Sequence, residues 1–159
     1  MAAALAERAF EILLVDDDDG DIMIIEEALA ERELNRGLTV AHDGVDALEI
    51  LHDPDRPLPD LIILDLNMPR MNGRELLAEI KNDRSLRHIP VVVLTTSEAA
   101  DDVLSSYALH ANAYVTKPAG FEEFASRVRE IEDFYLGLVR LPGRWRPGLQ
   151  RTPEDPPHG

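Results

Sequence analysis

The chain has 159 residues, of which 45% are hydrophobic, and this length and composition suit one domain with a full apolar core. It contains no cysteine, which excludes disulfides and thiol catalysis and leads us to expect a protein of the reducing cytoplasm. The net charge of -15 repels nucleic acid and anionic membranes and favours cations. Residues 1–10 lack the apolar run of a signal peptide, and no stretch approaches the roughly 18 apolar residues of a membrane span.

Five short apolar segments are predicted to be strands, and five segments with helical spacing alternate with them. The strands are predicted over 11–15, 38–41, 61–64, 91–94 and 113–116, and the helices over 22–32, 45–52, 74–82, 98–109 and 121–139. Helical crossovers of this length require parallel strands with right-handed connections. We therefore predict an α/β protein, a flavodoxin-like, doubly wound parallel sheet in the common order 2-1-3-4-5 with five helices. Residues 1–9 are predicted to be an arm and 140–159 a flexible, proline-rich tail around the domain at 10–139.

Reactive side chains follow four of the predicted strands. Asp16 and Asp17 end the first strand, Asp65 the third, Thr95 the fourth and Lys117 the fifth. In the predicted order the first and third strands are neighbours at the switch point, so their aspartates crowd one pocket. Such carboxylates repel one another unless a cation joins them, and Mg²⁺ binds carboxylates together with waters and phosphate oxygens. The pattern indicates an acidic Mg²⁺ pocket for phosphoryl transfer.

This arrangement resembles the receiver domain of two-component response regulators over residues 11 to about 139. The residues that carry the resemblance are Asp16-Asp17, Asp65 within Leu64-Asp65-Leu66-Asn67-Met68-Pro69, Gly73, Thr95 and Lys117-Pro118. The resemblance implies a signalling protein rather than an enzyme, in which Asp65 accepts phosphate from a histidine kinase. It also implies that Asp16, Asp17, Asp65 and the Asn67 carbonyl hold Mg²⁺.

The resemblance implies further roles around this pocket. Lys117 contacts the phosphoryl group, Thr95 moves toward it and Tyr114 changes rotamer, and the bond before Pro118 is cis. Asn67 and Ser97 flank the pocket in sequence and are expected to tune the dephosphorylation rate.

Three segments are similar to the single-domain regulators that partner phytochrome-type photoreceptor kinases. They are residues 92–97, 109–114 and 131–135. This similarity implies a stand-alone regulator with a phytochrome-type partner. One departure is Ala119, where receivers often carry a larger apolar residue after the lysine and proline.

Two surfaces are predicted to bind other proteins. Ile22, Met23 and Ile24 are adjacent on one helix, so at least one is exposed, and the resemblance makes this helix the kinase-docking surface. On the last helix, Phe134, Leu136 and Val139 extend apolar character beyond the core face, which predicts a homodimer interface.

Several alternatives remain open. A phosphorelay intermediate or phosphate sink would need the same pocket without a direct output, and a degenerate receiver would be a binding module only. A Mg²⁺-dependent phosphatase of the haloacid dehalogenase type would need a second aspartate at the position of Asn67. A flavodoxin-like cofactor binder would need a phosphate loop in place of the acidic run after the first strand.

Overall fold

A computed structural model describes residues 10–31, 36–68, 70–96, 103–104 and 107–138. Five strands form one parallel sheet in the order β2-β1-β3-β4-β5. They are β1 Phe10–Val15, β2 Arg36–Ala41, β3 Leu61–Leu64, β4 Val91–Thr95 and β5 Ala113–Thr116. The predicted fold class and strand order are confirmed.

Four α-helices lie in the described part of the chain. They are α1 Asp19–Ala30, α2 Gly44–Leu51, α3 Gly73–Asn82 and α4 Phe121–Asp133, and a π-helix, Phe134–Leu138, continues α4. The helix predicted over 98–109 lies mostly outside the described residues, although residues 103–104 and 107–108 are helical. None of the described helices has the length and apolar character that crossing a membrane requires.

Side-chain caps fix where the first three helices begin. Asp18 caps α1 by accepting a hydrogen bond from the backbone N–H of Asp21, so α1 begins three residues earlier than predicted. Asp43 caps α2 in the same way, and Asn72 forms a reciprocal capping box with Glu75 at the start of α3. Each of these helices therefore begins directly after the loop that leaves the carboxyl end of a strand.

The sheet is covered on both faces, and each face has its own apolar core. On one side, α2 and α3 pack over a cluster that includes Val15, Leu64 and Leu76. On the other, α1 and α4 pack over a cluster that includes Leu14, Ile25 and Val128. Helices cover both faces of the sheet in the described structure. A ligand can therefore reach the strand ends at the carboxyl edge of the sheet.

The structure corrects three expectations. Ile22 is a core residue at 6% exposure, because it lies on the face of α1 that packs on the sheet, so it is not available for kinase docking. The predicted last helix is α-helical only to Asp133. No described peptide bond is cis, so the expected cis bond before Pro118 is wrong: Lys117 reaches its partners with the trans bond that X–Pro pairs ordinarily prefer.

Candidate functional site

The two aspartates of the pocket meet because their strands are neighbours. Val15 of β1 lies opposite Leu64 of β3, so the residues that follow them, Asp16 and Asp65, leave the sheet side by side. The backbone N–H of Asp65 donates to the carbonyl of Val15 at 2.9 Å, which continues the pairing past the strands. Both side chains are buried, at 1% and 8% exposure. The sequence prediction that these carboxylates share one pocket is therefore consistent with the geometry.

Lys117 follows edge strand β5, and its side chain reaches into the same pocket. Its backbone N–H donates to the carbonyl of Thr95 at 2.7 Å, which places its side chain beside the end of β4. Its ammonium Nζ lies 2.7 Å from Asp16 Oδ2, 2.8 Å from Asp21 Oδ2 and 3.4 Å from Asp65 Oδ2. The Lys117 ammonium is buried, and its interactions with these carboxylates compensate for the hydration that it has lost.

Three carboxylates of the pocket have the arrangement of a cation site. Oxygen atoms of Asp16, Asp17 and Asp65 all lie within 4.8 Å of one another. Asp17 is exposed, so the pocket opens to solvent on its side, whereas the other two are buried. Hard oxygen ligands with an open, wet side are the donor set that Mg²⁺ and Mn²⁺ prefer.

The charges in the pocket perturb one another strongly. Burial raises the pKa of Asp16 to about 6, although the hydrogen bond and charge of Lys117 act in the opposite direction. Burial alone would lower the pKa of Lys117, but its hydrogen bonds to Asp16 and Asp21 and the nearby charge of Asp65 outweigh burial and raise it. Lys117 therefore stays protonated at neutral pH in a pocket with excess negative charge.

The loop after Asp65 is fixed by two close contacts. A Cβ on Gly73 would lie 2.3 Å from the backbone oxygen of Asp65 and 2.6 Å from Leu66 Cα, so only glycine lets α3 begin here. The Gly73 N–H donates to the Leu66 carbonyl at 2.9 Å. Asn67, exposed in the same loop, directs its N–H to Asp65 Oδ1 at 3.5 Å.

Arg70 ties this loop to the start of α2, which follows β2 on the other side of β1, an arrangement that the sequence pattern did not indicate. Its guanidinium donates to Asp43 at 2.5 and 3.1 Å and to Asp46 at 2.8 Å. Hydrogen bonding from Arg70 lowers the pKa of Asp43 despite the opposing effect of burial. Arg70 itself has φ 60, the left-handed region that non-glycine residues seldom adopt. The loop that follows Asp65 is thus anchored at both of its ends.

The two predicted switch residues lie on neighbouring strands. Thr95 is fully buried, and its hydroxyl has no hydrogen-bond partner among the described residues. Tyr114 is half-buried on edge strand β5, packs against the core, and donates its backbone N–H to the Tyr107 hydroxyl at 3.2 Å. Thr95 adjoins the pocket through Lys117, whereas Tyr114 lies toward the edge of the sheet.

Two further predicted site residues, Met23 and Ile24, lie on α1 outside the pocket. Met23 is 60% exposed on α1, and Ile24 is half-buried against the core. Ser97 and Val139 lie outside the described residues. Asp21 contacts Lys117 at 2.8 Å, although the sequence analysis did not include it among the site residues. The signal was present, because a side chain in the first turn tilts toward the helix N-terminus and hence toward the strand end.

Comparison with known proteins identifies the family. Residues 12–129 match the family model described as response regulator receiver domain. The chain belongs to the response regulator receiver family. It is 44% identical over 135 residues to response regulator Rcp1 of Synechocystis sp., a match that covers 82% of this chain and 92% of Rcp1.

Solved structures of phytochrome response regulators share this fold closely. The phosphorylated cyanobacterial phytochrome response regulator RcpA matches with a TM-score of 0.81 and 43% identity over 84% of this chain and 99% of RcpA. The Mn²⁺-bound form of Rcp1 matches with a TM-score of 0.79 and 43% identity over 83% of this chain and 98% of Rcp1. The receiver is therefore related to phytochrome regulators.

Proposed function

We propose that this receiver accepts a phosphoryl group on Asp65 from a histidine kinase in a Mg²⁺-dependent reaction. The observation that carries the proposal is the buried Asp65 carboxylate, which lies within 4.8 Å of the Asp16 and Asp17 carboxylates and 3.4 Å from the Lys117 ammonium. In the reaction an Asp65 oxygen bonds to phosphorus, and the bond from phosphorus to the donor breaks and leaves its electron pair on the donor. The phosphorylated state of the related RcpA supports this function.

Asp16, Asp17, Asp65 and the Asn67 carbonyl are the residues that would hold Mg²⁺. When bound, the ion supplies charge neutralisation for the incoming phosphoryl oxygens. Lys117 supplies a fixed positive charge beside Asp16 and Asp65 and binds a phosphoryl oxygen. The Mn²⁺-bound form of the related Rcp1 supports the binding of a divalent cation.

Phosphorylation of Asp65 is testable with a small phosphodonor. Acetyl phosphate and Mg²⁺ should add one phosphoryl group to the chain, seen by intact mass, and Asp65→Asn should abolish the addition. Asp60→Asn is a matched control, because Asp60 is a buried aspartate that immediately precedes the same strand and binds the Glu11 N–H. An unmodified wild-type chain, or labelling that survives Asp65→Asn, would falsify this function.

We propose that Thr95 and Tyr114 transmit the phosphorylated state. A buried hydroxyl without a described partner costs free energy, so Thr95 gains a hydrogen bond when a phosphoryl oxygen arrives. Only such a difference in affinity between two states lets phosphate shift their populations. Thr95→Val should therefore leave phosphorylation intact and weaken phosphorylation-dependent association. Equal association of Thr95→Val and the parent chain would remove this route.

The partners proposed are a histidine kinase of the phytochrome type and a second copy of this chain. Met23, with the half-buried Ile24, offers apolar surface for the kinase at α1. Phe134 is 48% exposed, its ring packs edge-on against Tyr135 with centroids 5.1 Å apart, and Leu136 lies partly in the core. We propose that Phe134, Leu136 and Val139 form the interface of a homodimer, which the exposed Phe134 ring supports.

The dimer is testable by light scattering with and without phosphodonor. Phe134→Glu should give a monomer, whereas Phe121→Glu, which changes an equally exposed phenylalanine at the other end of α4, should behave as the parent chain does. A monomeric parent chain in both states would remove the dimer from the proposal.

A further inference from the structure

Lys117 has a third carboxylate partner that lies outside the cation site. Asp21 Oδ2 is 2.8 Å from the ammonium, as close as Asp16 at 2.7 Å and closer than Asp65 at 3.4 Å. Asp21 does not follow a strand; it lies in the first turn of α1 and is half-buried. The set of three aspartates whose oxygens cluster for a cation does not include it.

The backbone around Asp21 is anchored to the pocket. Asp18 accepts the Asp21 N–H on its side chain at 3.0 Å, and the Asp18 N–H in turn donates to Asp16 Oδ1 at 3.0 Å. The next residue, Ile22, is buried in the core and donates its N–H to the Asp18 carbonyl. The backbone of Asp21 therefore has a fixed position relative to Asp16.

An ammonium has three N–H donors, and this pocket offers one carboxylate for each. We propose that Asp21 is a positioning residue for phosphoryl transfer, which holds one donor of Lys117 on the solvent side while Asp16 holds another on the buried side. The third donor is then directed at Asp65. Without Asp21 the flexible lysine stem regains rotamer freedom, and its contact with Asp65 becomes less well defined. The effect on phosphoryl transfer rests on the proposed function, whereas the effect on Lys117 does not.

The chain contains a matched control for the charge of Asp21. Asp19 lies two residues earlier on the same helix, with a side chain 93% exposed, and its nearest ion-pair partner is His42 at 3.8 Å. Asp19→Ala and Asp21→Ala each remove one negative charge from the start of α1. An effect of the general field appears in both variants, and an effect through Lys117 appears only in Asp21→Ala.

The first measurement follows the Lys117 ammonium directly by NMR. In the parent chain and in Asp19→Ala, the ammonium protons should be protected from exchange with water. Asp21→Ala should accelerate their exchange on the order of tenfold, the change that loss of one charge-assisted hydrogen bond produces. Asp21→Asn keeps an acceptor oxygen and should lie between them. Equal exchange in Asp21→Ala and Asp19→Ala overturns the proposal.

The second measurement is the rate of phosphorylation by acetyl phosphate at saturating Mg²⁺. Asp21→Ala should be slower by roughly tenfold, Asp21→Asn less so, and Asp19→Ala within about twofold of the parent chain. Equal rates for the two alanine variants contradict a positioning role. If the parent chain is not phosphorylated at all, the proposed function fails, and the ammonium exchange still decides whether Asp21 positions Lys117. Circular dichroism checks that each variant is folded. If Asp21→Ala is unfolded, the comparison of Asp21→Asn with Asp19→Ala tests the proposal.

Discussion

Two buried cations lie at opposite ends of the sheet, and their surroundings differ in charge balance. Arg36, the first residue of β2, donates to Glu132 near the end of α4 and to the carbonyl of Leu29, so one cation meets one buried carboxylate. Lys117, at the carboxyl ends of the strands, meets three carboxylates, and Asp17 adds a fourth nearby. Among the described contacts, the first pair matches one cation with one carboxylate, whereas the second group carries excess negative charge.

This difference distinguishes a structural ion pair from a site. A buried pair of one cation and one carboxylate does not attract a further ion, because each charge already compensates for the hydration that the other has lost. The Lys117 group is destabilised by repulsion between its carboxylates, and a cation or a transferred phosphoryl group with its counterion changes that repulsion. The excess negative charge therefore makes the carboxyl end of the sheet sensitive to a bound cation or phosphoryl group. The following variants test the difference between the two cations.

The largest expected effect comes from breaking the balanced pair. Arg36→Met should lower the free energy of unfolding by about 3 kcal/mol, because the buried Glu132 carboxylate loses the hydrogen bond and the charge of the Arg36 guanidinium. The double variant Arg36→Met with Glu132→Leu should recover most of the loss. Urea denaturation measures both, and Arg129→Met, which breaks the exposed pair with Glu31, should cost less than about 1 kcal/mol. Equal losses for Arg36→Met and Arg129→Met would contradict the structural role.

A somewhat smaller loss of stability should follow when Gly73, in the loop after Asp65, is replaced by alanine. Gly73→Ala places a Cβ 2.3 Å from the Asp65 carbonyl oxygen, and the backbone must shift, at a cost of about 1–3 kcal/mol. Phosphorylation should also slow, since Asp65 moves with its backbone. Gly120→Ala is the control, because the nearest atoms to its Cβ are side-chain atoms of Glu123 at 3.9 Å. If Gly73→Ala is as stable and is phosphorylated as fast as Gly120→Ala, the close approach of Gly73 to the Asp65 backbone affects neither stability nor reactivity.

The pocket could be predicted from the sequence because its residues are tied to strand ends. Asp16, Asp65 and Lys117 each follow an apolar run, and the strand order brings those ends together. The balanced pair could not be predicted, since Arg36 and Glu132 are 96 positions apart and neither belongs to a pattern. Long-range pairs of this kind depend on how helices pack, and sequence periodicity does not encode packing.

Local ambiguities account for the other differences. Four consecutive aspartates offer several caps for α1, and only the structure selects Asp18. The helical spacing of Ile22, Ile25 and Leu29 already indicated that Ile22 faces the core, so its place in the predicted docking surface was wrong. Helical spacing beyond Asp133 is compatible with α- and π-helix alike, so the change at Phe134 was not predictable.

Relief of the excess charge should produce a modest gain in stability. Asp17 is exposed and forms no ion pair with Lys117 in the described structure, so Asp17→Asn removes repulsion without breaking a contact. With a chelator present, the variant should exceed the parent chain by up to about 1 kcal/mol. Added Mg²⁺ should stabilise the parent chain more than the variant, because binding to the folded state adds to its stability. Thermal melts with chelator and with Mg²⁺ measure both differences, and an equal Mg²⁺ response would remove Asp17 from the cation site.

The smallest effect is expected at an exposed pair, where neither burial nor excess charge operates. Hydrogen bonds from Ser85, and then from His52, lower the pKa of Asp83 from 3.8 to about 2. A depressed folded pKa stabilises the folded state above the unfolded pKa and loses that effect as pH falls through the folded value. Asp83→Asn should therefore be slightly less stable than the parent chain at pH 7, and the difference should fade between about pH 4 and pH 2.

Carboxyl-carbon NMR reads the Asp83 pKa directly, and Ser85→Ala should move it upward more than His52→Ala, because Ser85 supplies the larger share of the shift. An Asp83 pKa at its ordinary value in the parent chain would contradict the hydrogen bonds at its carboxylate. A depressed pKa with no measurable loss of stability in Asp83→Asn at pH 7 would contradict the predicted stabilisation. In the described structure, the Lys117 pocket keeps an excess of negative charge that a bound cation can neutralise.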